Sequence, residues 1–278
     1  MIVVTGATGN VGQPLVRALA EAGEDVTAIS RTPSAVPGLD SPAGLRHRQA
    51  DLTDTAGLKA AFDGAEALFL LLTSEWLATG GDPSGILDAA RSAGVRRVVH
   101  LSSQGVGTDR HSPHIEDAIK RSGLEWTMLR PGGFSSNAFQ WAESIRTQRT
   151  VMAPFADVAL PVIDPADIAE AAAVTLRETG HASKTYELTG PAPVSPRQQT
   201  AAIGEALGEP VRFVEQSHEE ARTQMLRFMP EPVVDTTLGI LGTPSPAEQR
   251  VSPDAEHLLG RPPRTFAAWA ARNTVAFR

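Results

Sequence analysis

The 278-residue chain contains no cysteine. That excludes disulfides, thiolate metal sites and thiol nucleophiles together. Tyrosine occurs once, as Tyr186, and lysine three times, as Lys59, Lys120 and Lys184. Chemistry that requires a phenol or an ammonium group therefore has very few candidates. No apolar run approaches the roughly 20 residues of a membrane span, so no membrane partner is expected. The formal net charge is −7 with no basic block, so no phosphate-facing patch for nucleic acid is expected either. A Gly-x-Ser-x-Gly elbow ahead of a helix is missing, and with it the signature of a serine hydrolase. The seven histidines, His47, His100, His111, His114, His181, His218 and His257, lack the i, i+4 spacing of a zinc site. His111 and His114 are the closest pair, and Pro113 stands between them, so no metal is expected.

What remains is an ordinary globular composition, 41% hydrophobic and 21% charged. Its most informative stretch is the start, Met1-Ile-Val-Val-Thr-Gly-Ala-Thr-Gly-Asn-Val-Gly12. Apolar and β-branched residues run into a glycine-rich turn, and Gln13 to Gly23 follows with helical periodicity. Strand, loop and helix come in the order that a dinucleotide-binding crossover needs. Gly6 suits the sharp turn, Gly9 a close backbone approach to a pyrophosphate, and Gly12 tight helix–strand packing. The exposed amides and the positive helix end favour an anion there. The opening residues read as a core strand rather than a charged-then-apolar leader, so a cytoplasmic protein is expected.

To about residue 150, apolar strands alternate with amphipathic helices, the pattern of parallel βαβ units. Further strands are expected at Asp25–Ser30, Leu45–Leu52, Ala67–Thr73, Arg96–Ser103 and Trp126–Arg130. A Pro/Gly-rich loop, Thr32 to Gly44, separates the second and third. Helices are expected at 55–62, 82–93 and 115–122. The expected fold class is α/β, a doubly wound parallel sheet over residues 1–150 with some later segments packing back onto it, and a smaller α/β substrate lobe over 151–278. In that lobe Asp164–Thr179 and Ser195–Leu207 read as helices, and Lys184–Thr189 and Val211–Glu215 as short strands. A lobe over the carboxyl edge of the sheet would form a substrate pocket.

The strand-end residues should converge on one crevice: Gly6, Thr8, Gly9, Asn10, Val11 and Gly12, then Arg31, Asp51, Leu52, Thr73, Ser74, Ser102, Ser103, Pro131, Gly132 and Phe134. Arg31 is the most telling. An acid at the end of the second strand would serve the adenosine ribose of NAD. A guanidinium there suits a 2′-phosphate through bidentate charge-assisted bonds, the alternative being a solvated surface arginine. Asp51 can accept from an adenine amino group, and capping a turn beside Asp54 explains it as well. Trp76, Phe134, Phe139, Trp141, Met152 and Phe155 suit a hydrophobic pocket or a core equally.

The chain resembles the NmrA-like branch of the atypical short-chain dehydrogenases/reductases. The resemblance rests on Gly6 to Gly12, Asp51-Leu52, His100-Leu-Ser-Ser103, and Ser122-Gly-Leu-Glu-Trp-Thr-Met-Leu-Arg-Pro-Gly-Gly-Phe134 followed by Asn137. Tyr186 to Gly190 and Leu259 to Thr265 extend it over nearly the whole chain. It implies a nicotinamide cofactor, NADP(H) in preference to NAD(H). The wider superfamily donates a proton from a tyrosine four residues before a lysine, whereas four positions beyond Tyr186 stands Gly190. That pair is absent. Comparison with the family places a lysine or histidine around Ser112, where the sequence reads His111-Ser-Pro-His-Ile-Glu116. His114 and Ser103 are therefore the candidate catalytic residues, with an exposed helix-start histidine as the alternative reading of His114. Lys120 falls too late in its helix and is expected to be solvated.

The expected function is NADPH-dependent reduction of a small conjugated, quinone-like or iminium-like molecule, which needs less proton donation than a simple ketone. A non-catalytic NADP(H) sensor of the NmrA type is the alternative, and an epimerase or isomerase a third. Substrate identity and oligomeric state are not legible in the chain.

Overall fold

The computed structural model describes residues 1–32, 44–73, 76–77 and 80–278. The interior of the Pro/Gly-rich loop and Ser74 lie outside them. The described chain forms nine strands: β1 (Ile2–Val4), β2 (Val26–Ser30), β3 (Leu45–Gln49), β4 (Ala67–Leu70), β5 (Arg97–Leu101), β6 (Glu125–Pro131), β7 (Thr150–Ala153), β8 (Lys184–Leu188) and β9 (Arg212–Glu215). Seven make one sheet in the order β3-β2-β1-β4-β5-β6-β8, and β7 pairs with β9 in a second. Every pairing among β1 to β6 is parallel. Successive crossovers run outward in one direction from β1 and in the other from β4. The expected doubly wound sheet is the one observed.

The chain divides into two compact units. The first comprises Met1–Pro131, Pro165–Glu187 and His257–Gly260. The second comprises Gly132–Asp164, Leu188–Glu256 and Arg261–Arg278. In the first unit, helices α1 (Gly12–Glu21), α2 (Thr55–Phe62), α3 (Ser84–Ser92), α4 (Gln104–Gly107) and α5 (His114–Arg121) follow β1, β3, β4 and β5. α2, α3 and α5 bury Leu58, Phe62, Ile86, Leu87, Ile115 and Ile119 against Leu68, Leu70, Val98 and Met128 of the sheet. The helix Pro165–Arg177 packs on α1, and its buried Ala169, Ala171, Ala172 and Ala173 allow the close approach.

The later segment 184–188, read from the sequence only as a short strand, packs back onto the main sheet. It is not part of a separate lobe but the seventh strand of the main sheet, beside β6. The Thr127 hydroxyl donates to the His181 carbonyl at 2.8 Å, and the Ser183 amide donates to the Trp126 carbonyl at 2.8 Å, locking the segment to the sheet. Its first two residues are exposed, as suits an edge strand with a lysine on it. In the second unit β7, which the sequence reading passed over, pairs in parallel with β9. Trp141, Ile145, Val151, Ile203, Phe266, Trp269 and Phe277 form that unit's core.

Candidate cofactor and active site

Because β1 to β6 run parallel, the residues that follow their carboxyl ends share one edge of the sheet. The glycine loop occupies that edge beyond β1, and it is strapped in place. Thr5 is fully buried. Its hydroxyl lies 3.1 Å from the carbonyls of both Phe69 and Leu71 and accepts the Leu71 amide at 2.8 Å. The Ala7 amide donates to the Ile29 carbonyl at 3.2 Å, so the loop is held to both β4 and β2.

Gly6 has φ +63°, the left-handed region that favours glycine. A Cβ on Gly12 would fall on the Gly6 carbonyl oxygen and stand 2.8 Å from the Ala7 Cα. This fold of the loop thus admits no side chain there. α1 begins at Gly12 with no side-chain cap on its amides and no acid in its first turn. An uncapped helix start that no carboxylate neutralises is a site for an external anion. These residues fit the pyrophosphate of a dinucleotide.

Arg31 is exposed one residue past β2. Its carbonyl accepts from the Gln49 side-chain Nε2 at 2.8 Å, which joins the ends of β2 and β3. Asp51 lies nearby. Its Oδ1 accepts both the amide and the hydroxyl of Thr53, at 2.9 and 2.8 Å. Those two bonds hold its carboxyl below the usual range, and the Arg31 charge acts in the same direction. The turn-capping role of Asp51 is therefore observed. Leu52 is half-buried against the core. The Thr73 hydroxyl accepts the Trp76 amide at 3.2 Å. Pro131 is buried at the end of β6, whereas Gly132 and Phe134 belong to the second unit, where Gly132 donates to the Leu188 carbonyl at 2.9 Å.

Beyond β5 the two adjacent serines differ. The Ser102 hydroxyl donates to Glu116 Oε1 at 2.7 Å. Glu116 is 1% exposed, and Arg130 grips it with both prongs, Nε to Oε1 at 2.8 Å and Nη2 to Oε2 at 2.7 Å. Burial alone would raise the Glu116 pKa. The bonds from Arg130 and Ser102, with the charges of Arg130 and Lys120, outweigh it and bring the group down to about 2. Lys120 is exposed, as expected, and its Nζ also lies 3.4 Å from Glu116 Oε2. Sequence reasoning missed this cluster. The signal was Glu116 on the face of α5 that buries Ile115 and Ile119, where a carboxylate requires a partner.

Ser103 caps α4, accepting the Gly105 amide at 3.1 Å, and its Oγ also lies 3.1 Å from His111 Nδ1. His114 does not join it. The His114 Nδ1 lies 3.1 Å from the Ser112 hydroxyl, and the residue lines a cleft of about 460 Å³ with Asp82, Ser84, Arg91 and Arg121. His100 is buried beneath the site. Burial drives its pKa down to about 4, and its Nδ1, 2.9 Å from the Leu70 carbonyl, is the donor. The single tyrosine is occupied on β8, where its hydroxyl lies 2.8 Å from His181 Nδ1. The aromatic set divides: Trp76 enters the core of the first unit, and Phe139 and Trp141 that of the second. Phe155 packs with Val234 and Leu238, while Met152 is 47% exposed. Among the described residues no helix is long and apolar enough to cross a membrane.

A family model described as NAD(P)H-binding matches residues 6–179. The chain belongs to the NAD(P)H-binding family. Within reach of it lies a (4-alkanoyl-5-oxo-2,5-dihydrofuran-3-yl)methyl phosphate reductase of Streptomyces griseus, 35% identical over 285 residues, 100% of this chain and 99% of that one. An NAD(P)H azoreductase of Xenophilus azovorans is 30% identical, again over 100% of this chain and 99% of the relative. Among solved structures, the NADPH-dependent quinone oxidoreductase of Escherichia coli complexed with NADPH matches with a TM-score of 0.82 and 27% identity, over 98% of this chain and 99% of that one. The negative transcriptional regulator NmrA shares the fold, with a TM-score of 0.75 at 21% identity. The expected cofactor, NADP(H), agrees with the family and with that NADPH complex.

Proposed function

We propose that the protein is an NADPH-dependent reductase of small, electron-poor conjugated molecules, working without the tyrosine–lysine pair of its wider superfamily. The end-to-end relationship to the Streptomyces reductase carries this reading. A 5-oxo-2,5-dihydrofuran with a 4-alkanoyl group is an alkene polarised by two carbonyls. The azo and quinone acceptors in the names of other relatives are likewise conjugated and electron-poor. Adding hydride to such a system leaves a delocalised anion, which demands less of a protein acid than the alkoxide of a simple ketone. A chain whose one phenol is bonded to a histidine on the sheet edge suits that class.

NADPH supplies the hydride, and the chain's own residues bind and orient it. The loop from Gly6 to Gly12, including Thr8, Asn10 and Val11, receives the pyrophosphate; Arg31 receives the 2′-phosphate, with Asp51 and Leu52 toward the adenine. Thr73, Ser102, Pro131, Gly132 and Phe134 are assigned to the nicotinamide half, and Ser103 to the reacting substrate. His114, bonded to Ser112 in its own cleft, is given no step here. A small-molecule partner and a cytoplasmic setting go with this reading.

Replacing Arg31 with leucine should weaken NADPH binding about 10–100-fold, the worth of a charge-assisted contact to the 2′-phosphate, and leave NADH unchanged. Calorimetry with both nucleotides checks this, and equal weakening of the two would remove Arg31 from the 2′-phosphate. The function itself is tested by cofactor oxidation across quinones, unsaturated lactones, azo dyes and cyclic imines, with saturated ketones as controls. Saturable NADPH consumption is expected with at least one conjugated acceptor. Tight NADPH binding with no turnover would contradict the reading and favour a cofactor sensor.

A further inference from the structure

Resting on that reading, we infer that Ser103 is the proton donor to the reduced substrate and that His111 makes it one, as a proton-relay partner acting through Ser103. Four observations converge on the segment 103–111. The Ser103 Oγ accepts the Gly105 amide at 3.1 Å and meets His111 Nδ1 at 3.1 Å. The backbone amides of Arg110 and His111 both return to the Gly105 carbonyl, at 2.8 and 2.9 Å. The His111 ring lies directly over Gly105, where a Cβ would stand 2.5 Å from Nδ1 and 2.8 Å from Cε1. His111 is also exposed, so its ring exchanges protons with water.

The geometry decides which way the serine proton points. A hydroxyl has one proton and two lone pairs. When His111 carries its proton on Nδ1, that N–H and the Gly105 amide both donate into the Ser103 oxygen and fill its lone pairs. The Ser103 proton is then left to point away from both and becomes an obligate donor. Its neighbour cannot play this part, because the Ser102 proton is held by the buried Glu116 carboxylate.

The step balances. Hydride and its electron pair pass from NADPH to the electron-poor carbon, giving oxidised cofactor and a substrate anion. The anion takes the Ser103 proton as the serine O–H bond breaks. Ser103 takes the Nδ1 proton of His111, and the ring is reprotonated by water.

The test uses the full-length protein with an acceptor it reduces. His111→Asn keeps a group able to hydrogen-bond Ser103 but cannot ionise. Ser103→Ala removes the donor itself. Gly105→Ala leaves His111 in the chain but pushes its ring off Ser103. All three should lower kcat about 10²-fold, within the range for a positioned acid, with KM and NADPH affinity within twofold of wild type. Added imidazole should restore turnover to a His111→Ala variant and not to Ser103→Ala. Thermal unfolding checks that each variant is folded. If His111→Asn turns over like wild type, or if KM and NADPH affinity collapse together with kcat, the relay is wrong while the reductase reading stands. Wild-type protein that binds NADPH and reduces nothing overturns both.

Discussion

A Gly12→Ala protein is expected to lose its cofactor. The added methyl would meet backbone, the Gly6 carbonyl and the Ala7 Cα at 2.8 Å, and backbone cannot rotate aside as a side chain can. The loop must therefore open, and the amides at the start of α1 move from their present positions. Losing two charge-assisted amide bonds to a pyrophosphate, at about 1.5–3 kcal/mol each, weakens NADPH binding at least about 10²-fold. Overpacking adds about 1–3 kcal/mol of instability. Gly9→Ala is the control for the fold alone, since Gly9 is itself assigned to the close approach of the pyrophosphate. Its Cβ would lie 3.3 Å from the Gly6 carbonyl oxygen, a gap that a shift of a few tenths of an ångström relieves. The two variants should therefore rank clearly in thermal unfolding, Gly12→Ala far the worse, whereas calorimetry with NADPH reads the loss of binding in Gly12→Ala. Gly12→Ala protein that binds NADPH like wild type would mean that the loop does not grip the nucleotide in this way.

The second large effect is expected from Glu116→Gln. When its charge is removed, a fully buried carboxylate held by both prongs of Arg130 leaves that guanidinium without its bidentate partner, with Glu187 the remaining acid acting on it. The cost is about 3–5 kcal/mol. Linkage gives a similar size. Moving a carboxyl from its ordinary 4.5 to about 2 corresponds to about 3 kcal/mol of stability at neutral pH. The sign follows from the depressed pKa: the contribution is complete above about pH 4.5 and is lost as pH falls toward 2. His100 adds to acid sensitivity in a higher window. Its neutral form is favoured in the fold, so its contribution is complete above 6.5 and lost as pH falls toward 4. Urea unfolding across this range should show wild-type stability falling in both windows, and Glu116→Gln should lose the lower one. A Glu116→Gln protein within 1 kcal/mol of wild type, with an unchanged acid profile, would show that the pair is not structural.

What the sequence revealed and what it concealed divide along local and tertiary lines. The glycine loop was legible because its whole logic, strand, turn and helix start, lies within twelve consecutive residues. The central strand β4 was legible because burial on both faces leaves a continuous apolar run. The edge strand β8 was legible as a strand but its partner was not, since its half-exposed residues carry no sign of which neighbour they pair with. β7 is only four residues long and follows Arg149, which turns the chain with φ 49°, too brief a segment for periodicity to register. Glu116 and Arg130 meet across a strand and a helix, and Lys120 joins them, a partnership that no local pattern announces. Family resemblance places a histidine around Ser112 and favours His114 over His111, whereas the structure seats His111 on Ser103. The choice is made by backbone bonds to Gly105, which seat His111 on the serine, and by the start of α5, which turns His114 to Ser112.

The central claim is that the loop after β1 and the guanidinium after β2 together hold a phosphorylated nicotinamide dinucleotide. Isothermal titration of the purified protein with NADPH, and separately with NADH, tests it most directly. The account predicts saturable binding of one nucleotide per chain, NADPH the tighter of the two, with that preference lost in Arg31→Leu. Folded protein that takes up neither nucleotide would contradict it.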